Sequence, residues 1–278
     1  MEIKITTLSE NTANHGFLGE WGLSMLVEAD GKKILVDTGM GTSATHNADI
    51  LGIDLAEIDC IVLSHGHIDH TGGLGHVLKR RKETEIIGHP DIWISRYARR
   101  SPANVQFIGM PFTQEELEAS GARFKFSREP VAITNHIITS GEIEMLTDYE
   151  TIDDNLLIKE SGTFQPDRLA DDLSLIINAE YGLVVILGCG HRGLVNTIGQ
   201  AQKLTGNKRV YAVIGGAHLK YASEERIEKT IADLKKIGVH KLGASHCTGF
   251  AASARLAQEF PESFFLNNAG TRLTLPES

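Results

Sequence analysis

Apolar and polar positions alternate over residues 2–8, the two-residue period of a strand. The same pattern over 23–29 and 32–36 predicts a hairpin, with Asp30-Gly31 as the turn pair that such hairpins favour. Residues 44–51 predict a helix stopped by Gly52, and the apolar run 58–64 a strand. A helix is expected over 71–82, a strand over 85–89 and a helix with a basic end over 90–100. Thr113-Gln114-Glu115-Glu116 is a capping box that opens a short helix. Residues 131–134 and 137–143 read as strands, and 148–172 as a long polar loop, functional or mobile.

The stretches 173–179 and 183–187 are almost wholly apolar, so this hairpin should be covered on both faces. Strand and helix then alternate: a strand over 209–214, a helix over 224–237, a strand over 241–245, a helix over 250–259 and a strand over 263–266. In the first of these helices Ile227, Ile231, Leu234 and Ile237 share one face. Neither a repeat nor a linker rich in Pro or Ser divides the chain, which is expected to form one domain over 1–278.

The apolar run Ile61-Val62-Leu63 ends in Ser64-His65-Gly66-His67-Ile68-Asp69-His70-Thr71-Gly72-Gly73. Three imidazoles and a carboxylate within six positions are costly to desolvate unless something binds them, and a divalent metal does so. His65 and His67, two apart on an extended loop, point to one side. Two further strands end in Gly188-Cys189-Gly190-His191-Arg192 and in Ser245-His246-Cys247-Thr248-Gly249. Ligands of α/β proteins gather at such strand ends, so His191 and His246 are expected to join the first loop around one centre. Cys189 is either a thiolate ligand or a small buried apolar group. Asp172 is a further carboxylate candidate, and His218 suits a structural, substrate-contacting or ligating role. Asp37, at the end of its strand, either accepts a hydrogen bond from a ligating imidazole or caps its loop. The loop 9–22, with His15, Glu20 and Trp21, reads as a pocket rim or an ordinary connection.

Composition narrows the rest. Hydrophobic residues are 41% and charged residues 23% of 278, the balance of a globular domain. The net charge of −9 argues against a general nucleic-acid binder. The cluster Lys79-Arg80-Arg81-Lys82 suits the end of a helix. Three scattered cysteines give neither a disulfide framework nor a Cys-x-x-Cys pair. No apolar core of a signal peptide and no membrane-length apolar run are evident, so a cytoplasmic protein without membrane contact is expected.

His65-x-His67-x-Asp69-His70 after an apolar strand, preceded by Val36-Asp37-Thr38-Gly39, resembles the signature of the metallo-β-lactamase superfamily. The resemblance implies an αββα sandwich of two mixed sheets flanked by helices, with a variable insertion around 95–170. It also implies a site for two divalent ions at one edge, zinc first, with manganese or iron as alternatives. His65, His67 and His191 or a neighbour would hold one ion, and Asp69, His70 and His246 the other. Asp69 would in addition serve as a catalytic proton acceptor. Superfamily members usually carry an Asp or a Cys where this chain has Cys189.

Gly19-Glu20-Trp21-Gly22, the His65 loop, the His191 loop and Ser245-His246-Cys247-Thr248-Gly249 together are similar to one branch of the superfamily. That branch includes pterin-condensing synthases of methanopterin biosynthesis and many hydrolase-like proteins. It implies an enzyme acting on a phosphorylated small molecule. The leading case condenses a dihydropterin diphosphate with an aminobenzene ribose phosphate and releases pyrophosphate. The alternatives are a hydrolase of phosphodiesters or esters using metal-bound hydroxide, and a non-catalytic metabolite sensor. Arg192 and Lys220 are the cations placed to pair with a phosphate.

Overall fold

The computed structural model describes residues 1–81 and 83–277. Two large sheets share one apolar core, and helices cover the outer face of each, the αββα sandwich. The first sheet runs, in spatial order, Arg272–Leu275, Ile3–Ser9, Ser24–Ala29, Lys32–Val36, Cys60–Val62, Thr84–Gly88 and Ala122–Phe126. The second runs Phe264–Leu266, Lys241–Ser245, Val210–Gly216, Gly182–Leu187, Ser174–Ala179 and Ile137–Thr139.

The two-residue period sorts the side chains between layers. In the hairpin Ser174–Ala179/Gly182–Leu187, Leu175, Ile177, Val184 and Ile186 face the other sheet. Their neighbours Ile176, Leu183, Val185 and Leu187 pack under the helices Leu194–Thr205 and Glu224–Ile237. This hairpin is covered on both faces, as its composition predicted.

Strands in the middle of each sheet pair in parallel: Cys60–Val62 with both neighbours, and Val210–Gly216 with both of its own. Parallel pairing brings their C-terminal ends to a common edge, and the loops after them carry the histidines. The close fit of these loops demands glycine. A Cβ on Gly73 would lie 2.0 Å from the Thr38 carbonyl oxygen, and one on Gly66 2.2 Å from that of Ile92. The helix expected over 71–82 is therefore interrupted. It forms two short pieces, Ile68–Thr71 and Leu74–Leu78, on either side of Gly72-Gly73. Lys82, the expected end of that helix, lies outside the described residues.

A separate four-stranded sheet is built from Thr163–Pro166, Leu156–Glu160, Arg96–Ser101 and Asn104–Phe107. It corrects two expectations. Residues 90–100 are not a helix but a 3-10 turn, Pro90–Trp93, followed by a strand. The polar loop 148–172 contains a hairpin that turns through Ser161-Gly162, both at positive φ. The reason is tertiary. Arg96, fully buried, pairs with Asp167 at 2.8 Å and Asp171 at 2.7 Å, which holds the segment extended. Residues 131–134 make only the bridge Ala132↔Ile138, and the strand Arg272–Leu275 was not expected. No helix among the described residues is long and apolar enough to cross a membrane.

Candidate metal centre

The loop after Cys60–Val62 brings His65 and His67 beside His191, which follows Gly182–Leu187. Ring centroids are 4.5 Å apart for His65 and His67, 4.9 Å for His65 and His191, and 5.0 Å for His67 and His191. His70 and Asp69 come from the short helix Ile68–Thr71, and His246 from the turn after Lys241–Ser245. His70 Nε2 is 3.2 Å from His246 Nε2, which in turn is 3.3 Å from Asp69 Oδ2. All six residues chosen from the sequence thus sit in one cluster.

Hydrogen bonds fix which nitrogen of each ring faces the cluster. Asp37 Oδ2 accepts from His70 Nδ1 at 2.7 Å and from the Ser64 hydroxyl at 2.6 Å. That hydroxyl, its proton committed to Asp37, accepts from His65 Nδ1 at 2.9 Å. Asn11 Oδ1 accepts from His246 Nδ1 at 2.9 Å. In all three rings Nδ1 is engaged and Nε2 faces the cluster. Of the two roles open to Asp37, the structure shows the hydrogen bond to imidazole. Asn11 was not singled out in the sequence, and only its fold-dependent contact reveals it. Asp37, His218 and His246 hold φ of 57°, 45° and 54°, sparsely populated values that concentrate at functional sites.

The donor set fits a cation. His65 Nε2 and His67 Nδ1 face each other at 3.0 Å, and His67 Nε2 and both nitrogens of His191 are buried without a hydrogen-bond partner among the described residues. Unsatisfied buried polar groups in this number are rare unless something binds them. Burial holds His65, His67 and His191 well below the usual imidazole pKa, so their lone pairs are free. Burial also works against the Asp69 carboxylate, but the His70 and His246 imidazoles outweigh it and hold the group well below the usual carboxylate range. Burial opposes charge on His70 as well, yet Asp37 and Asp69 push it up to about 9.

Cys189 joins both halves of the cluster. Its sulfur and the nitrogens of His65 and His191 lie within 4.8 Å of one another, and so do those of the set His70, Cys189 and His246. Asp172 falls in neither set. Its Oδ2 accepts the Arg192 backbone N–H at 2.8 Å, and burial pushes its carboxyl up to about 7. His218 lies 4.1 Å ring to ring from His191, with Nδ1 3.4 Å from Asp153 Oδ2. Arg192 donates to the carbonyls of Ile143 and Arg168 and does not line the cavity in front of the cluster. Lys220 does line the cavity, its ammonium 4.6 Å over the Trp21 ring, and the Trp21 indole donates to Asp69 at 2.9 Å. His15 is exposed and does not line the cavity in front of the cluster, while Glu20 ties down the backbone of Met40 and Gly41.

The cavity in front of the cluster measures about 380 Å³. Ala98, Phe107, Ile108 and Leu156 from the region of the four-stranded sheet close one side of it.

A sequence profile of the metallo-β-lactamase superfamily matches residues 22–155. The 7,8-dihydropterin-6-methyl-4-(β-D-ribofuranosyl)-aminobenzene-5′-phosphate synthase of Methanocaldococcus jannaschii is 39% identical, over 96% of this chain and 95% of the relative. A solved structure described as a metal-dependent hydrolase of the β-lactamase superfamily superposes with a TM-score of 0.84 at 26% identity, covering 98% of each chain. PqqB of Methylobacterium extorquens, with a TM-score of 0.57 at 12% identity over 97% of this chain and 99% of that one, shares the fold alone. By sequence and by architecture, the chain is an enzyme of the metallo-β-lactamase superfamily.

Proposed function

We propose that this enzyme joins a dihydropterin diphosphate to 4-(β-D-ribofuranosyl)aminobenzene 5′-phosphate and releases pyrophosphate. The observation that carries this reading is the 39% identity to the archaeal synthase over nearly the full length of both chains. A bond forms between the pterin methylene carbon and the amine nitrogen. The carbon–oxygen bond to the diphosphate breaks, pyrophosphate leaves with the electron pair, and the amine gives up a proton.

His65, His67 and His191 would hold one divalent ion, and Asp69, His70 and His246 the other, with the Cys189 sulfur between the sets. Imidazole, carboxylate and thiolate donors suit zinc first and manganese or iron next. When bound, such ions supply Lewis acidity toward phosphate oxygens and stabilise the charge of a departing pyrophosphate. Asp37, Ser64 and Asn11 keep three imidazoles in the orientation that ligation requires. Lys220 faces the cavity as a cation for a phosphate, and the apolar side chains opposite exclude water. The low proton affinity of Asp69 suits a ligand that stays ionised better than the proton acceptor expected from the sequence. A cavity of this size fits a small phosphorylated molecule rather than a polymer.

The test supplies both substrates to the metal-loaded protein and quantifies pyrophosphate and coupled pterin. Equal amounts of the two are expected; absence of both removes the reading. The 0.84 TM-score to a metal-dependent hydrolase favours hydrolysis as a second reading. Turnover of bis-p-nitrophenyl phosphate, lost in His67→Ala and unaccompanied by condensation, would replace the first reading with the second.

A further inference from the structure

A second cavity, of about 540 Å³, lies behind the metal centre between the loop 10–12 and the helix Phe250–Glu259. It shares Trp21, Lys220 and His246 with the cavity in front of the cluster, so the two adjoin at these side chains. A pocket for a single ligand measures about 300–1,000 Å³, and the 380 Å³ beside the histidines is near the lower end of that range. That space suits one substrate. A condensation has to hold two within reach of one reacting centre.

The walls of the second cavity indicate what it takes. Phe250, Phe264, Leu266, Ala254 and Ala257 make it largely apolar, and Phe250 (91% exposed) and Leu266 (59% exposed) stand open to solvent. Ser245, only 6% exposed, also lines it, and its buried hydroxyl has no hydrogen-bond partner among the described residues. A buried hydroxyl left unpaired is costly, and a ligand atom would relieve it. The side chains of Glu10, Asn11 and Thr12 are already engaged. Glu10 accepts from the His246 N–H and from both donors of Thr12, and the Asn11 amide is bonded at both ends to His246. A pterin, with its edge of amide and amidine donors and acceptors, would find few free partners here. A benzene ring needs none.

The geometry points to this second cavity as the seat of the arylamine substrate, a benzene ring bearing a phosphorylated sugar, with the diphosphate substrate held in front of the histidines. The inference rests on the condensation reading. It places Trp21 and Lys220 at the junction across which amine and methylene carbon meet.

Ala254→Trp tests it, because position 254 is exposed on its helix and a larger side chain there fills the cavity without entering the core. The metal-loaded full chain is titrated calorimetrically with 4-(β-D-ribofuranosyl)aminobenzene 5′-phosphate and, separately, with inorganic pyrophosphate. The variant is expected to bind the aryl compound at least ten-fold more weakly, and to bind pyrophosphate and metal as the parent does. In turnover, KM for the aryl substrate should rise while KM for the pterin diphosphate stays. Ser245→Ala, a milder change, should shift the same constants in the same direction. A parent that condenses the substrates while Ala254→Trp keeps the aryl affinity overturns the inference alone. A parent that neither binds the aryl compound nor condenses overturns it together with the condensation reading.

Discussion

Asp171 accepts the backbone N–H of Gly66 at 2.8 Å, and Gly66 is the residue between His65 and His67. The neighbouring Asp172 does the same for Arg192, the residue after His191. One Asp-Asp pair at the head of the strand Ser174–Ala179 therefore ties down two histidine loops more than a hundred residues apart in sequence. Arg96 Nη2 holds the other oxygen of Asp171 at 2.7 Å, which couples the four-stranded sheet to the metal loop.

Asp171→Ala should therefore cost on the order of 3–5 kcal/mol, because it removes one of the two carboxylates paired with a buried guanidinium and leaves a backbone donor unmatched. Chemical denaturation with an unchanged slope would read this as a lower midpoint. Arg96→Met adds a pH dependence. Burial raises the Asp171 carboxyl pKa from its usual 3.8 and Arg96 opposes the rise. A carboxyl whose folded pKa is raised contributes stability in full below its unfolded value, and loses it as the pH climbs through the folded one. Without Arg96 the folded value moves higher still. The deficit of the variant against the parent should then widen from about pH 4 toward neutrality. A deficit independent of pH would show that Arg96 does not offset the charge of Asp171.

Asp37→Ala should leave the strands in place and weaken metal binding, since Asp37 touches the ligands only through His70 Nδ1 and Ser64. Partners of this kind contribute about 10–100-fold in affinity. Competition against a chromophoric chelator measures the change, and an unaltered affinity would leave Asp37 a purely structural residue.

Glu150 takes the place of a missing helix cap. Leu194–Thr205 begins after Gly193, which has no side chain to offer, and Glu150 accepts the N–H groups of Val195 and Asn196, each at 2.8 Å. A carboxylate at a helix start also opposes the dipole. Glu150→Ala should cost about 1–2 kcal/mol, read from the denaturation midpoint, and Glu150→Gln less. Equal losses would mean that one neutral amide oxygen replaces nothing, and that the charge or the second oxygen carries the whole cap.

What could be read from the chain was what is local. The Asp30-Gly31 turn, the capping box at Thr113 and the helix Glu224–Ile237 stand where they were expected, because each depends on residues within one or two turns. The cluster of histidines was legible because its density has no structural reason to exist. The small sheet was not, since Arg96 becomes a strand residue only through carboxylates 71 and 75 positions away. Asn11 belongs to the same class, its contact with His246 spanning 235 positions. Proximity in sequence also overrated Arg192, whose guanidinium the fold directs to two backbone carbonyls and not into the cavity.

Cys189 is where sequence left two roles open and geometry favours one. Its sulfur is 3.1 Å from His70 Nε2 and belongs to both candidate ligand sets, a position that a buried apolar filler would have no reason to occupy. Burial together with the neighbouring Cys247 holds the thiol well above its ordinary pKa, so on its own it stays protonated at neutral pH. A cation at bonding distance reverses that preference, because a coordinating thiol is deprotonated outright. Cobalt substitution reads the outcome without relying on activity. The cobalt-loaded protein should show a sulfur-to-metal charge-transfer band in the near ultraviolet, and Cys189→Ser should abolish it while Cys247→Ser keeps it. A band that survives in Cys189→Ser would assign the sulfur to packing and leave the two histidine sets without a shared donor.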